Sequence, residues 1–505
     1  MSPSTSRPYP PIAPPIITNP PDLSTLPPGL VPVSPIITDH RSDEEISAWL
    51  TTRHVVSSDK NVWAFWHSGF LSMRPWCRRN VINWVRRLGP EWNVHVVDCV
   101  SGSQTNVRHF VPDEYLPDSF LNGTMDGLSV GQHSGDLVRL PLLWLYGGVW
   151  LDAGTLLFRH IDDICWRQIE DPATPFEMAG FVLRLRPDED AMINGFIAAK
   201  RNNPFIKRWH DIYLTMWMGV TNADGFHKHP LLRHLPLLNP PLSKSKLELD
   251  VTMESFTDYL AHFVALERLR KLVDPSDGFD GPKYYREKIF FAKAMQETYY
   301  VQPKTKWSGP QQLAYLTTRR DGLDGSESDE VRERWLEAQE FVHDALANSS
   351  TMKLSHGHPG GKDFLADLLD QPQNEGKDCE PQTFGEYLRW GSVHLNQTRE
   401  MIPYKVDTSK EKHDDNDLEE HISIELIAVL GCTTPRKSDF MWEMPDISTV
   451  TDFNNLTELP RTEGIYNVMW IARDDNDTAY RKGTGIILGE IWEQETVDRI
   501  DVRLG

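Results

Sequence analysis

Ser134-Gly-Asp-Leu-Val-Arg-Leu-Pro-Leu-Leu-Trp-Leu-Tyr-Gly-Gly-Val-Trp-Leu-Asp-Ala-Gly154 is the stretch on which the reading of this chain turns. Ser134 suits a helix N-cap, and Leu137, Leu140, Leu143 and Trp144 recur at helical spacing. Gly147 suits a left-handed helix end. Val149-Trp-Leu151 then reads as a buried strand that delivers Asp152 at its C-terminal end. Pro141 falls inside this helix, where a missing backbone bond predicts a kink.

The chemistry follows from the spacing. Asp136 and Arg139 lie three residues apart, so they share one helix face. A carboxylate there can accept bonds from hydroxyl groups, and an arginine fork can bind a phosphate or hydroxyl. Asp152, just past a strand, sits where open α/β sheets present ligand-binding groups. A hard divalent cation bridging carboxylate and diphosphate would need such an oxygen ligand. Core packing with a surface ion pair would account for the same pattern.

Upstream, Asn61-Val-Trp-Ala-Phe-Trp66 reads as a strand, Pro75 to Arg87 as a helix closed by Gly89-Pro90, and Trp92 to Val97 as a second strand. This alternation predicts an α/β domain over 41–370, an open sheet flanked by helices. Residues 1–40 form a leader expected to be disordered: twelve of the 36 prolines fall within the first 36 residues, a density that blocks helix and sheet. Pro11-Ile-Ala-Pro14 offers a PxxP element through which a partner could dock. Residues 371–417, rich in Gln, Asn, Asp, Glu and Lys, read as an acidic linker. Ile422 to Leu430, Tyr466 to Ala472, Gly485 to Leu488 and Val497 to Leu504 make 418–505 a small β-rich unit.

Composition narrows the classes. The 505 residues are 39% hydrophobic, which favours a globular protein of more than one unit. A formal net charge of −21 argues against non-specific nucleic-acid binding. No apolar run is long enough to cross a bilayer and no signal-peptide pattern opens the chain, so the expected location is cytoplasmic. Five dispersed cysteines without a CxxC pair suggest neither a zinc site nor a disulfide framework. Gly127-Leu-Ser-Val-Gly131 satisfies the G-x-S-x-G pattern of serine hydrolases, but the residues before it are no apolar strand.

The 134–154 segment strongly resembles DXD-type glycosyltransferases, whose pattern is a small residue, D-x-x-R, then Y-G-G-x-Y/W-x-D. It is most similar to the capsular polysaccharide synthesis branch and its fungal members, and more distantly to yeast-type α-mannosyltransferases and glucosylating toxins. The similarity covers roughly residues 60–210, with looser agreement to about 360. It implies a GT-A-like fold and transfer of a hexose from a UDP- or GDP-linked sugar to a glycan, lipid or protein hydroxyl, with retention of configuration.

The resemblance also implies roles. Trp66 would stack on the nucleotide base, and Asp136 and Arg139 would hold the donor sugar and diphosphate. Asn194, in Asn194-Gly-Phe-Ile-Ala-Ala, would line the donor or acceptor pocket. Asp152 is the first acid of the DXD signature. Lys353-Leu-Ser-His356 resembles the stretch returning to metal and diphosphate, which makes His356 a second candidate ligand beside Asp152 for Mn²⁺ or Mg²⁺. One departure stands out: Gly154 occupies the second acidic position, so Asp152 would hold the metal with help from diphosphate and water. The same departure leaves open a non-catalytic scaffold that keeps the glycosyltransferase fold for binding partners.

Overall fold

The computed structural model describes residues 26–406, apart from 128, 187–188, 239–251, 324 and 357–362, together with Ile17, residues 20–23 and strands beyond 421. The chain runs through β1 (Leu30–Pro32), β2 (Asn61–Phe65), β3 (Asn93–Val97), β4 (Gly148–Leu151), β5 (Thr155–Leu157), β6 (Met178–Arg186) and β7 (Glu189–Ala199). A short pair, β8 (Val273–Asp274) and β9 (Phe279–Asp280), precedes β10 (Ile289–Lys293), β11 (Thr351–Lys353) and β12 (Leu395–Gln397).

Six of these strands form one sheet in the order β10-β6-β7-β4-β2-β3. The β10–β6, β4–β2 and β2–β3 pairs are parallel, while β7 runs antiparallel to both neighbours. Every residue of β2 and β4 is buried, as expected for central strands covered on both faces. The expected open sheet flanked by helices is therefore present. Because Trp63 pairs with Trp150 in parallel register, Phe65 and Asp152 stand at the same level beyond it. The C-terminal ends of β2, β3 and β4 thus open on one edge.

Two helices fix that edge. Helix Val130–Tyr146 starts one turn before the predicted cap at Ser134 and runs on through Pro141. Ser134 is instead an interior, buried residue whose hydroxyl faces the Met125 sulfur. The helix ends at Gly147, and Gly147 and Gly148 both have positive φ (68° and 106°). A Cβ on Gly148 would lie 2.3 Å from the Asn61 carbonyl oxygen, so only glycine lets the chain turn this tightly into β4.

Helix Pro75–Leu88 ends, as predicted, at Gly89 (φ 60°). It binds the other side of the turn after β4: the Asn80 amide donates to the Ala153 carbonyl (3.0 Å), and the Trp84 indole donates to the Thr155 carbonyl (2.8 Å). On β2, the Trp63 indole donates to the Gly147 carbonyl (3.0 Å). Each of these indoles buries a large apolar ring, worth roughly 2–3 kcal/mol, while its one polar atom is satisfied. The Asp152–Thr155 turn is therefore held by core side chains.

Two boundaries differ from those expected. The leader is not extended to its end, because β1 pairs antiparallel with β12 and buries Leu30; residues 1–16, with the PxxP element, lie outside the described residues. The expected linker at 371–417 begins as ordered structure, with helix Phe384–His394 capped by Thr383. Its Arg389 guanidinium donates to the Asn80 side-chain oxygen (3.1 Å), and buried Asp378 is shared between Arg79 and Arg389. Polar residues that suggested solvent are here used as buried partners. The charged cluster at 410–420 lies outside the described residues.

Further on, β13 (Ile422–Glu425), β14 (Gly431–Cys432), β15 (Ile465–Asp474) and β16 (Tyr480–Leu488) form an antiparallel sheet of their own. Residues 497–504, expected as a last strand, lie outside the described residues.

Candidate functional site

Helix Val130–Tyr146 and β7 together bury an ion pair beside the sheet edge. Arg139 Nη2 lies 2.6 Å from Asp136 Oδ1, and both side chains are less than a tenth exposed. The same guanidinium donates through Nη1 to the Asn194 carbonyl and through Nε to the Gly135 carbonyl (3.4 Å), and it stacks over the Trp150 ring at 4.8 Å. All three of its nitrogens have partners. The Asn194 amide then offers one hydrogen to Asp136 Oδ1 (3.1 Å) and the other to His262 Nδ1 (3.3 Å).

Burial acts to raise the Asp136 carboxyl, but the Arg139 guanidinium, together with His262 and His133, holds the group below the usual carboxylate range. Burial pushes His262 down to about 3 against the pull of Asp136, so its ring is neutral and free to accept the Asn194 hydrogen. His133 Nδ1 stands 3.8 Å from the other Asp136 oxygen. The sequence motif did not single out either histidine: His262 is near it only in space, and His133, directly before Ser134, lies outside the recognised pattern.

Asp152 sits at the open edge, linked to this cluster through Trp150. The Trp150 indole donates to Asp152 Oδ1 at 2.8 Å, and its ring carries the Arg139 guanidinium. The other oxygen, Oδ2, lies 2.6 Å from the Lys353 ammonium. β11 pairs antiparallel with β5 so that Lys353 faces Thr155, which returns its side chain across the Asp152 turn. Burial would raise the Asp152 carboxyl, yet Lys353 and then Arg139 hold it low, so it is an anion at neutral pH. Unlike the Asp136–Arg139 pair, Asp152 and Lys353 are about a quarter exposed.

The structure thus brings Asp136, Arg139 and Asn194 into one hydrogen-bonded cluster and joins Asp152 to it through the Trp150 ring. Trp66 lies at the same sheet edge, one residue past β2, with its backbone N–H on the Val97 carbonyl (3.0 Å) and its ring half-buried. His356 does not join them. Its Nε2 is 3.1 Å from Asp370 Oδ2, and its ring lies beside Trp76. The returning stretch was recognisable in the sequence, but Lys353, not His356, is its residue on Asp152. The G-x-S-x-G segment is preceded by no strand at 124–127, so Ser129 is no hydrolase nucleophile elbow.

Among the described residues, the donor set around Asp152 does not fit a resident Mn²⁺ or Mg²⁺. Both Asp152 oxygens already accept hydrogen bonds, one of them from an ammonium, and Gly154 supplies no second acid. Among the described residues no three of His, Cys, Asp and Glu come together in a way that could hold a metal ion.

Residues 33–227 match the family described as capsular polysaccharide synthesis protein. The chain is 60% identical over 385 residues to the O-glycosyltransferase braB of Annulohypoxylon truncatum, covering 75% of this chain and 90% of that one. It is 48% identical over 353 residues to the glycosyltransferase afumC of Aspergillus fumigatus, covering 69% and 88%. It is 42% identical over 395 residues to the O-glycosyltransferase PaGT of Phomopsis amygdali, covering 77% and 95%.

Proposed function

The chain belongs to the fungal glycosyltransferases of the capsular polysaccharide synthesis protein family, and we propose that it moves a hexose from a nucleotide-diphosphate sugar to a hydroxyl group of its acceptor. The observation that carries this reading is the placement of Asp152 and Lys353, partly accessible and oppositely charged, at the C-terminal edge of β4, where α/β sheets seat nucleotides. Trp66, one residue past the parallel strand β2, offers a ring for the base. Two of the relatives carry the name O-glycosyltransferase, which supports a hydroxyl acceptor.

In the proposed reaction the bond between the anomeric carbon and the β-phosphate oxygen breaks, its electron pair staying on the phosphate. The acceptor oxygen bonds to the same carbon, and its proton passes to the departing phosphate. Both site carboxylates are committed, Asp136 to Arg139 and Asn194 and Asp152 to Lys353 and Trp150. Neither is left as a base on the far side of the sugar, which favours a front-face transfer with retention. The buried Asp136–Arg139–Asn194 cluster would orient Trp150 and the Asn194 backbone against the donor.

A panel of UDP- and GDP-sugars incubated with the full chain, with and without Mn²⁺, tests the reading through release of nucleoside diphosphate. Turnover of at least one donor, reduced by about 100-fold or more in Asp152→Ala, is the expected outcome. Equal turnover in the variant would remove Asp152 from the site.

A further inference from the structure

We propose that Lys353 takes the place of a divalent cation at this site, so that donor binding and transfer proceed without a metal; this rests on the donor-site reading given above. A hard cation at the edge of β4 would have to take Asp152 as a ligand. In the structure each oxygen of that carboxylate is already engaged, one by the Lys353 ammonium at 2.6 Å and the other by the Trp150 indole at 2.8 Å. Displacing an ammonium from contact with a carboxylate is costly where both are mostly shielded from water.

Gly154 points to the same substitution. A Cβ built there would lie 3.8 Å from Lys353 Nζ and 3.0 Å from the Leu354 carbonyl oxygen. The ammonium therefore stands beside the position from which a second acid would project, next to the Leu354 carbonyl and the Trp76 ring. A positive charge is present, supplied by a side chain and not by an ion between two acids.

Lys353 is also built in. Its backbone N–H donates to the Thr298 carbonyl (3.2 Å), its carbonyl accepts from the Gln302 amide (3.1 Å), and the next residue donates to the Gly154 carbonyl (2.8 Å). One of the three ammonium hydrogens goes to Asp152, which leaves two for diphosphate oxygens. The pair is about a quarter exposed, so a ligand can reach it. As the anomeric bond breaks, charge builds on the β-phosphate, and an ammonium fixed beforehand stabilises it without reorganising. The acceptor proton leaves on the phosphate.

The test is calorimetric titration of UDP and of GDP into the full-length protein stripped with EDTA, repeated with Mn²⁺ added. Binding of one nucleotide in EDTA, changed less than about threefold by Mn²⁺, is expected. Lys353→Met should weaken that metal-free binding about tenfold or more while leaving the matching monophosphate unaffected, and Lys353→Arg should restore most of it. A merely structural lysine would move both nucleotides alike. Binding that vanishes in EDTA and returns with Mn²⁺ would overturn the proposal and leave the glycosyltransferase reading intact. Silence of the folded wild-type chain toward both nucleotides, with and without Mn²⁺, would overturn the donor-site reading and the proposal with it.

Discussion

Asp136 and Arg139 form a buried pair in which each side chain depends on the other. Removing the carboxylate leaves a guanidinium with little access to water. Asp136→Ala should therefore destabilise the chain by about 3–5 kcal/mol, read as a shift of the urea midpoint; a shift under about 1 kcal/mol would mean the pair is not buried in solution. Asp136→Asn, which keeps a hydrogen-bond acceptor for Arg139, should cost less. At this scale Asp136, Arg139, Asn194 and Asp152 were legible, because three stand in one motif and the fourth in a recognisable segment. Lys353 was not, since its contact with Asp152 spans 201 residues of chain and depends on a strand of three residues. His356 attracted attention as an imidazole, yet a carboxylate on its own side, Asp370, holds it.

The turn between helix Val130–Tyr146 and β4 depends on two consecutive glycines. Gly148→Ala would force a side chain into positive φ and within 2.3 Å of a backbone oxygen that cannot swing away. Loss of more than about 2 kcal/mol of stability, or no soluble folded product, is expected; a melting temperature equal to that of the wild type would contradict the turn as described. Elements were legible where period and punctuation agreed. Helix Pro75–Leu88, β2 and β3 came out within a residue or two because Pro75 and Gly89 mark the helix and apolar runs mark the strands. The start of helix Val130–Tyr146 was missed because Ser134 resembles a cap but is buried inside. Residues 371–399 were misread because their acids and amides, polar in composition, bind an arginine and the backbone of the core, as Asp378 does with Arg79 and Gln397 with the Leu346 and Ser349 carbonyls.

Over the whole molecule, acid should unfold the chain early. His210 and His262 are each pushed by burial from 6.5 down to about 3, so both are neutral in the folded state. Unfolded, they titrate near 6.5 and bind protons that the fold refuses. Stability therefore falls as pH drops from about 6.5 toward 3. Asp136 and Asp152, held below the ordinary value of 3.8, add a loss in the same direction only below about pH 4. Melting temperature should decline from pH 7 to pH 5, and His262→Gln should flatten that slope; a flat wild-type profile would contradict burial of the two rings. Composition disclosed the excess of acids but not where histidines would be enclosed, because their burial arises from helices far apart in sequence.

Whether the turn after β4 holds the donor is decided by the initial rate of nucleoside diphosphate release from the preferred sugar donor by Asp152→Asn. This variant keeps the shape of the side chain and an acceptor for Trp150 but removes the charge that anchors Lys353. A folded variant slowed by about 100-fold or more is the expected result. A rate within about twofold of the wild type would place the chemistry elsewhere in the molecule.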